Sequence, residues 1–198
     1  MNKRALLLSA AVFMSCTNFS LGENAHKTVA VLEDYRYPNH MHNVVDIIGK
    51  KDTQIYLTNV SDDKKYIKAL RKVSYGPERV VNLSIQSCQY NIKERALIEQ
   101  MISDGKIVVV ASGNSDRKKI NCPTIYPAGY KLKGLIVAGY TLGRQENVDI
   151  FENGKHCTKK TGCMSGSSQA TARVSRIALD HLKKGIHPSV IIDIFDKK

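Results

Sequence analysis

At 198 residues, 42% hydrophobic and 24% charged, the chain has the composition of one globular domain with a sizeable core, which excludes a disordered or fibrous protein. The formal net charge of +12 raises the question of an anionic polymer as partner. Lysines and arginines are spread along the sequence, however, and no basic patch interleaved with aromatic residues stands out, so solubility accounts for the excess and nucleic acid is not an expected partner.

Lys3-Arg4, the apolar run Ala5–Met14 and the small or polar residues after it read as an export signal over residues 1–22. The run is too short to span a bilayer. Cleavage after Gly22 would place Ser20 and Gly22 just before the cut. Cleavage before Cys16 is the other exit, because Phe13-Met14-Ser15-Cys16 resembles a bacterial lipobox; a lipid anchor there is the one membrane association expected. The product is exported: periplasmic, secreted or anchored to the envelope. Export gives the remaining cysteines meaning, since Cys88, Cys122, Cys157 and Cys163 form an even set in an oxidising compartment. Three pairings exist. Cys157 and Cys163 flank a short loop, so joining them needs no long-range assumption and leaves Cys88 with Cys122.

In chain order, Thr28–Leu32 is a continuous apolar run ending at Glu33-Asp34, as expected of a buried parallel strand. A loop over Tyr35–Asn39 precedes His40-Met41-His42 and a helix carrying Val44, Val45, Ile47 and Ile48. Gln54–Leu57 reads as a second strand. Ser61-Asp62-Asp63 opens a helix to about Val73, its acids in the first turn matching the helix dipole. Arg79–Ile85 is a third strand. Asn91 and Glu94 resemble a capping box opening a helix closed by Asp104-Gly105. Lys106–Ala111 and Leu135–Ala138 are further strands. From Ser168 an amphipathic helix carries Ala170, Val174, Ile177, Ala178 and Leu182 on one face, and His187-Pro188-Ser189 begins a last helix through Phe195. Strands alternating with helices predict an α/β three-layer sandwich with a mostly parallel central sheet. Functional groups then gather at the carboxyl ends of the strands, near Glu33-Asp34, Ser84 and Ser112-Gly113-Asn114. No glycine-rich phosphate cradle follows any strand, and no metal-binding cluster or cofactor is expected.

Four segments sharpen this picture. Val108–Asp116 (V-V-V-A-S-G-N-S-D) resembles the strand and A-x-G-N turn of the subtilisin-like serine proteases. Val80–Ile85 (V-V-N-L-S-I) resembles their substrate-binding strand. Tyr126–Gly139 resembles their tyrosine-proline turn and following strand, and Gly166–Ala172 (G-S-S-Q-A-T-A) their nucleophile motif G-T-S-x-A-[ST]-P. The chain order carboxylate, histidine, serine fits the same family. The resemblance covers nearly all of residues 23–198 as a single, shortened catalytic domain without a propeptide.

It implies a serine endopeptidase acting through an acyl-enzyme. Ser168 is the nucleophile, His40 the base, and Asn114 joins the Ser168 backbone N–H as oxyanion donor. Strict register puts Glu33 at the acid position, but Asp34, with the shorter side chain, is preferred as the group orienting the imidazole. Ser84, Ile85, Gln86, Ser112 and Gly113 are implied to bind substrate. The segments bearing Cys88 and Cys122 are implied to wall the primary specificity pocket, so their disulfide is expected to cross it. The partner is a peptide or protein substrate, and the chain is expected to be a monomer. Two departures favour an inactive relative that binds peptides or an envelope partner: Glu33 at the acid position, and six positions between Asp34 and His40 where the family inserts a long segment. A basic module for anionic polymers is the alternative from a different class.

Overall fold

The apolar runs are the inner strands of one sheet. The computed structural model describes residues 27–114, 122–140 and 147–196; the expected signal sequence and Cys16 lie outside the described residues. Strands β1 (Val29–Asp34), β2 (Thr53–Thr58), β3 (Val80–Leu83), β4 (Ile107–Ala111), β5 (Leu135–Tyr140) and β6 (Ile150–Glu152) pair in the order β2-β1-β3-β4-β5-β6, every pair parallel. Helices α1 (Pro38–Ile48), α2 (Asp63–Tyr75) and α3 (Ile92–Ser103) connect the first four strands. An antiparallel hairpin, β7 (Lys155–Thr158) and β8 (Gly162–Ser165), then leads into α4 (Ser167–Lys183), and α5 (Pro188–Phe195) closes the described chain.

Side chains of a strand alternate between its two faces, and here both faces are covered. Ala30, Leu32, Val81, Leu83, Val108 and Val110 pack under α2 and α3 with Ile67, Leu70, Val73, Ile98 and Met101. Val29, Val31, Val80, Ile107, Val109 and Ile136 pack under α1, α4 and α5 with Val44, Ile48, Val174, Ala178, Leu179 and Ile191. The result is the three-layer sandwich read from the sequence. Burying each of these aliphatic side chains contributes on the order of 1.5–3 kcal/mol, which is why Val29–Leu32 of β1 and all of β4 read as unbroken apolar runs.

Local details depart from expectation in instructive ways. Helix α1 starts at Pro38, well before its apolar stripe, because proline suits the first helical turn, where its missing N–H would be unpaired anyway. Asn91 caps α3 by accepting from Lys93 N and Glu94 N at 3.0 and 3.2 Å. Glu94 does not return the bond. Its buried carboxylate accepts from the hydroxyls of Tyr66 and Tyr130 instead, linking α2, α3 and the turn at Ala128–Tyr130. Burial drives the Glu94 carboxyl above its ordinary value, although both tyrosine bonds oppose that rise.

Candidate active site

The carboxyl ends of β1, β3 and β4 lie side by side, and the N-terminus of α4 packs over them on the α1 face. Strand parity decides which acid of β1 meets the histidine. Glu33 shares the α1 face with Val29 and Val31, and its Oε2 lies 2.9 Å from Nδ1 of His40, which α1 presents in its first turn. Asp34 points to the opposite face. Arg36 donates to both of its carboxylate oxygens, Nη2 at 2.6 Å, and the backbone N–H of Val60 donates at 3.2 Å. The expectation of Asp34 beside His40 is therefore corrected: successive strand residues face opposite ways, so the shorter side chain could not help it. The signal was present in the sequence, in the alternation of Val29, Val31 and Glu33.

The Glu33 side chain is almost wholly buried, and among the described residues its Oε1 has no hydrogen-bond partner. Burial pulls the His40 imidazole down, but the bond to Glu33 and its charge outweigh that, holding the ring above its ordinary value. Asp34 is held below the usual carboxylate range, chiefly by its bonds from Arg36.

Ser168 sits in the first turn of α4, 7% exposed. Its hydroxyl donates to the Ser84 carbonyl at 3.3 Å, and the Ser84 hydroxyl donates to the Ser168 carbonyl at 3.1 Å. Ser84 thus braces the serine turn against the end of β3, a different arrangement from a hydroxyl bonded to His40. Asn114 lies on the other flank. Its Oδ1 accepts from the Ser167 backbone N–H at 2.9 Å and from the Ser167 hydroxyl at 3.2 Å, which orients the amide. Gly166 permits this approach, since a Cβ there would lie 2.8 Å from Asn114 Oδ1.

A contact not anticipated from the sequence joins the two helices directly. Asn43, fully buried one turn after His40, accepts from Nε2 of Gln169, the residue after Ser168, at 3.0 Å. Its own Nδ2 donates to the His156 carbonyl and to Thr161 Oγ1 on the hairpin, at 3.4 and 3.3 Å. His156 also meets Asp46, and Lys160 meets His42. The hairpin is closed by Cys157–Cys163 between directly paired residues. Replacing Asn43 or Gln169 by leucine leaves the partner amide buried without its bond and is expected to cost about 1–3 kcal/mol of stability. The double variant should be no worse than either single one, as thermal unfolding would show.

The other expected disulfide, Cys88–Cys122, is also present. It lies beside an antiparallel pair in which Ser87 N donates to Tyr126 O at 2.9 Å and Tyr126 N to Ser87 O at 2.8 Å. The chain after β3 is thereby held along the segment Cys122–Tyr126. Gly113, at φ +100°, faces both: its Cα lies under the side chains of Gln86 and Ile125. Ser112 is buried at the carboxyl end of β4. Beyond Ile85 and Gln86 the surface opens into a groove of about 730 Å³, lined among others by Val60, Tyr66, Tyr90 and Tyr126.

No family model matches the sequence, and no curated protein is similar to it in sequence. Solved structures are similar in fold. A cold-adapted subtilisin-like serine proteinase is 18% identical with a TM-score of 0.62, covering 97% of this chain and 86% of its own. The prenylagaramide maturation protease PagA is 16% identical with a TM-score of 0.61, covering 85% and 82%. The self-cleaved protease domain of PatA is 16% identical with a TM-score of 0.58, covering 86% and 88%. These likenesses extend over most of each chain, and the chain has the subtilisin-like protease fold.

Proposed function

We propose that this protein is an exported serine endopeptidase in which Glu33, His40 and Ser168 form the catalytic set. The observation that carries this reading is the His40–Glu33 contact at 2.9 Å, at the same sheet end as the Ser168 turn and the Asn114 amide. Glu33 holds the Nδ1 proton of His40, leaving Nε2 to accept the Ser168 proton as the hydroxyl leaves the Ser84 carbonyl and attacks a peptide carbonyl. Catalytic hydrogen bonds often form only when substrate is present, so a hydroxyl parked on Ser84 is compatible with this route. The developing oxyanion is taken by Asn114 Nδ2 and by the Ser168 backbone N–H at the positive end of α4. His40 then returns its proton to the leaving amine, and water attacks the acyl-enzyme with His40 again as base. Two disulfides among the described residues support an oxidising compartment, in keeping with the export signal.

Reaction with a fluorophosphonate probe tests the reading. The wild-type protein should be labelled on Ser168, established by peptide mass mapping, and Ser168→Ala should not be labelled. Absence of labelling in the folded wild-type protein would leave a peptide-binding relative without catalysis.

A further inference from the structure

We infer that the protein accepts only a small side chain, glycine, alanine or serine, on the residue whose carbonyl is attacked, with Ile125 setting the limit. The inference rests on the protease reading. Hydrolysis puts the carbonyl oxygen between Asn114 Nδ2 and the first-turn N–H of α4, and sends the leaving amine toward His40. The acyl-side residue must therefore direct its side chain away from His40, into the gap between Ser84–Gln86 and the Ser112-Gly113 turn.

At the Gly113 edge of that gap Ile125 already stands. A methyl group on the Gly113 Cα would lie 2.4 Å from Ile125 Cδ1, 3.2 Å from Ile125 Cγ2 and 3.1 Å from Gln86 Oε1. Carbon atoms in contact need about 3.5–4.0 Å, so not even one methyl fits between Gly113 and Ile125 as they stand. The backbone that carries Ile125 is not free to withdraw. The next residue, Tyr126, is tied to Ser87 by two backbone hydrogen bonds, and Cys122–Cys88 fixes the same segment three residues earlier. Cores and walls at this density resist added volume, so an aromatic or long aliphatic side chain is excluded here. Recognition of larger side chains is left to the groove beyond Ile85, lined by Val60, Tyr90 and Tyr126.

Two peptides differing only in alanine or phenylalanine at the acyl-side position provide the test. Turnover is measured with the wild-type protein and binding with Ser168→Ala, both with the disulfides intact. The alanine peptide should be favoured by at least about 10-fold in kcat/KM and in affinity, the scale on which pocket volume discriminates. Ile125→Gly should remove or invert that preference. Ile125→Val, which deletes only Cδ1 and keeps the β-branched shape, should shift it toward leucine at the same position even if the glycine variant folds poorly. Equal handling of alanine and phenylalanine by the wild-type chain would overturn the inference, as would an unchanged preference in Ile125→Val. Absence of turnover with the alanine preference retained in binding would refute the protease reading alone. Failure of both peptides to bind or turn over would overturn both.

Discussion

Glu33→Gln is expected to slow fluorophosphonate labelling of Ser168 by about 10⁴-fold, the scale of losing the group that orients a catalytic histidine. Asp34→Asn should leave the rate essentially unchanged. Glutamine keeps the size of Glu33 but removes the charge and can present a donor to His40, favouring the wrong tautomer. Asp34 faces the other layer, where its loss unpins Arg36 and Val60 N and costs about 1–3 kcal/mol of stability instead. Thermal unfolding and labelling kinetics on the same samples separate the two effects.

The pH profile should bear the same signature. An imidazole can take up a proton only when neutral, so on the proposed route labelling falls as pH drops through the His40 titration. Burial lowers and Glu33 raises that titration, with Glu33 prevailing, so the acid limb lies above the value of about 6.5 for an unperturbed histidine. In Glu33→Gln only burial remains, and the limb moves to lower pH. The stability linkage runs the other way. A folded-state value raised above the unfolded one stabilises fully below the unfolded value and loses that contribution as pH rises through the folded one. Glu33→Gln should therefore lose more stability at pH 5 than at pH 8.

Asn114→Ala should reduce labelling by about 10²–10³-fold, the effect of deleting one oxyanion donor. Gly166→Ala should approach the same loss with Asn114 intact. Its added Cβ would meet Oδ1 at 2.8 Å and Nδ2 at 3.1 Å, displacing an amide otherwise fixed by Ser167. Neither change touches Glu33 or His40, so the pH limb should stay where it is. A Gly166→Ala protein that labels at the wild-type rate would show that the amide does not need its observed position.

The sheet was legible because its inner strands are buried on both faces. Val29–Leu32 and Ile107–Ala111 carry no polar residue to break the run, and the helices between them are marked by Asp62 and Asn91 as caps. Strands β6, β7 and β8 were not legible. They are three or four residues long, and exposed positions such as Lys155, Cys157 and Gly162 leave no apolar pattern. At the site, Ser168, His40 and Asn114 could be named by motif, and both disulfide pairings by spacing. The acid could not be settled by side-chain length, since pleat parity governs which of two neighbours faces α1. The Asn43–Gln169 contact joins residues 126 positions apart through two neutral amides, a pairing with no periodic or charge signature.

Parallel pairing also sets when such a site can exist. In a parallel sheet each strand reaches its neighbour only after a full crossover, and here the imidazole comes from the first helix while the hydroxyl comes from the fourth. A chain emerging from the ribosome carries both halves of β1 and α1 long before α4 is synthesised. On the proposed route the set Glu33, His40 and Ser168 is consequently among the last features to assemble, and a chain that stops short of α4 holds the imidazole without the hydroxyl.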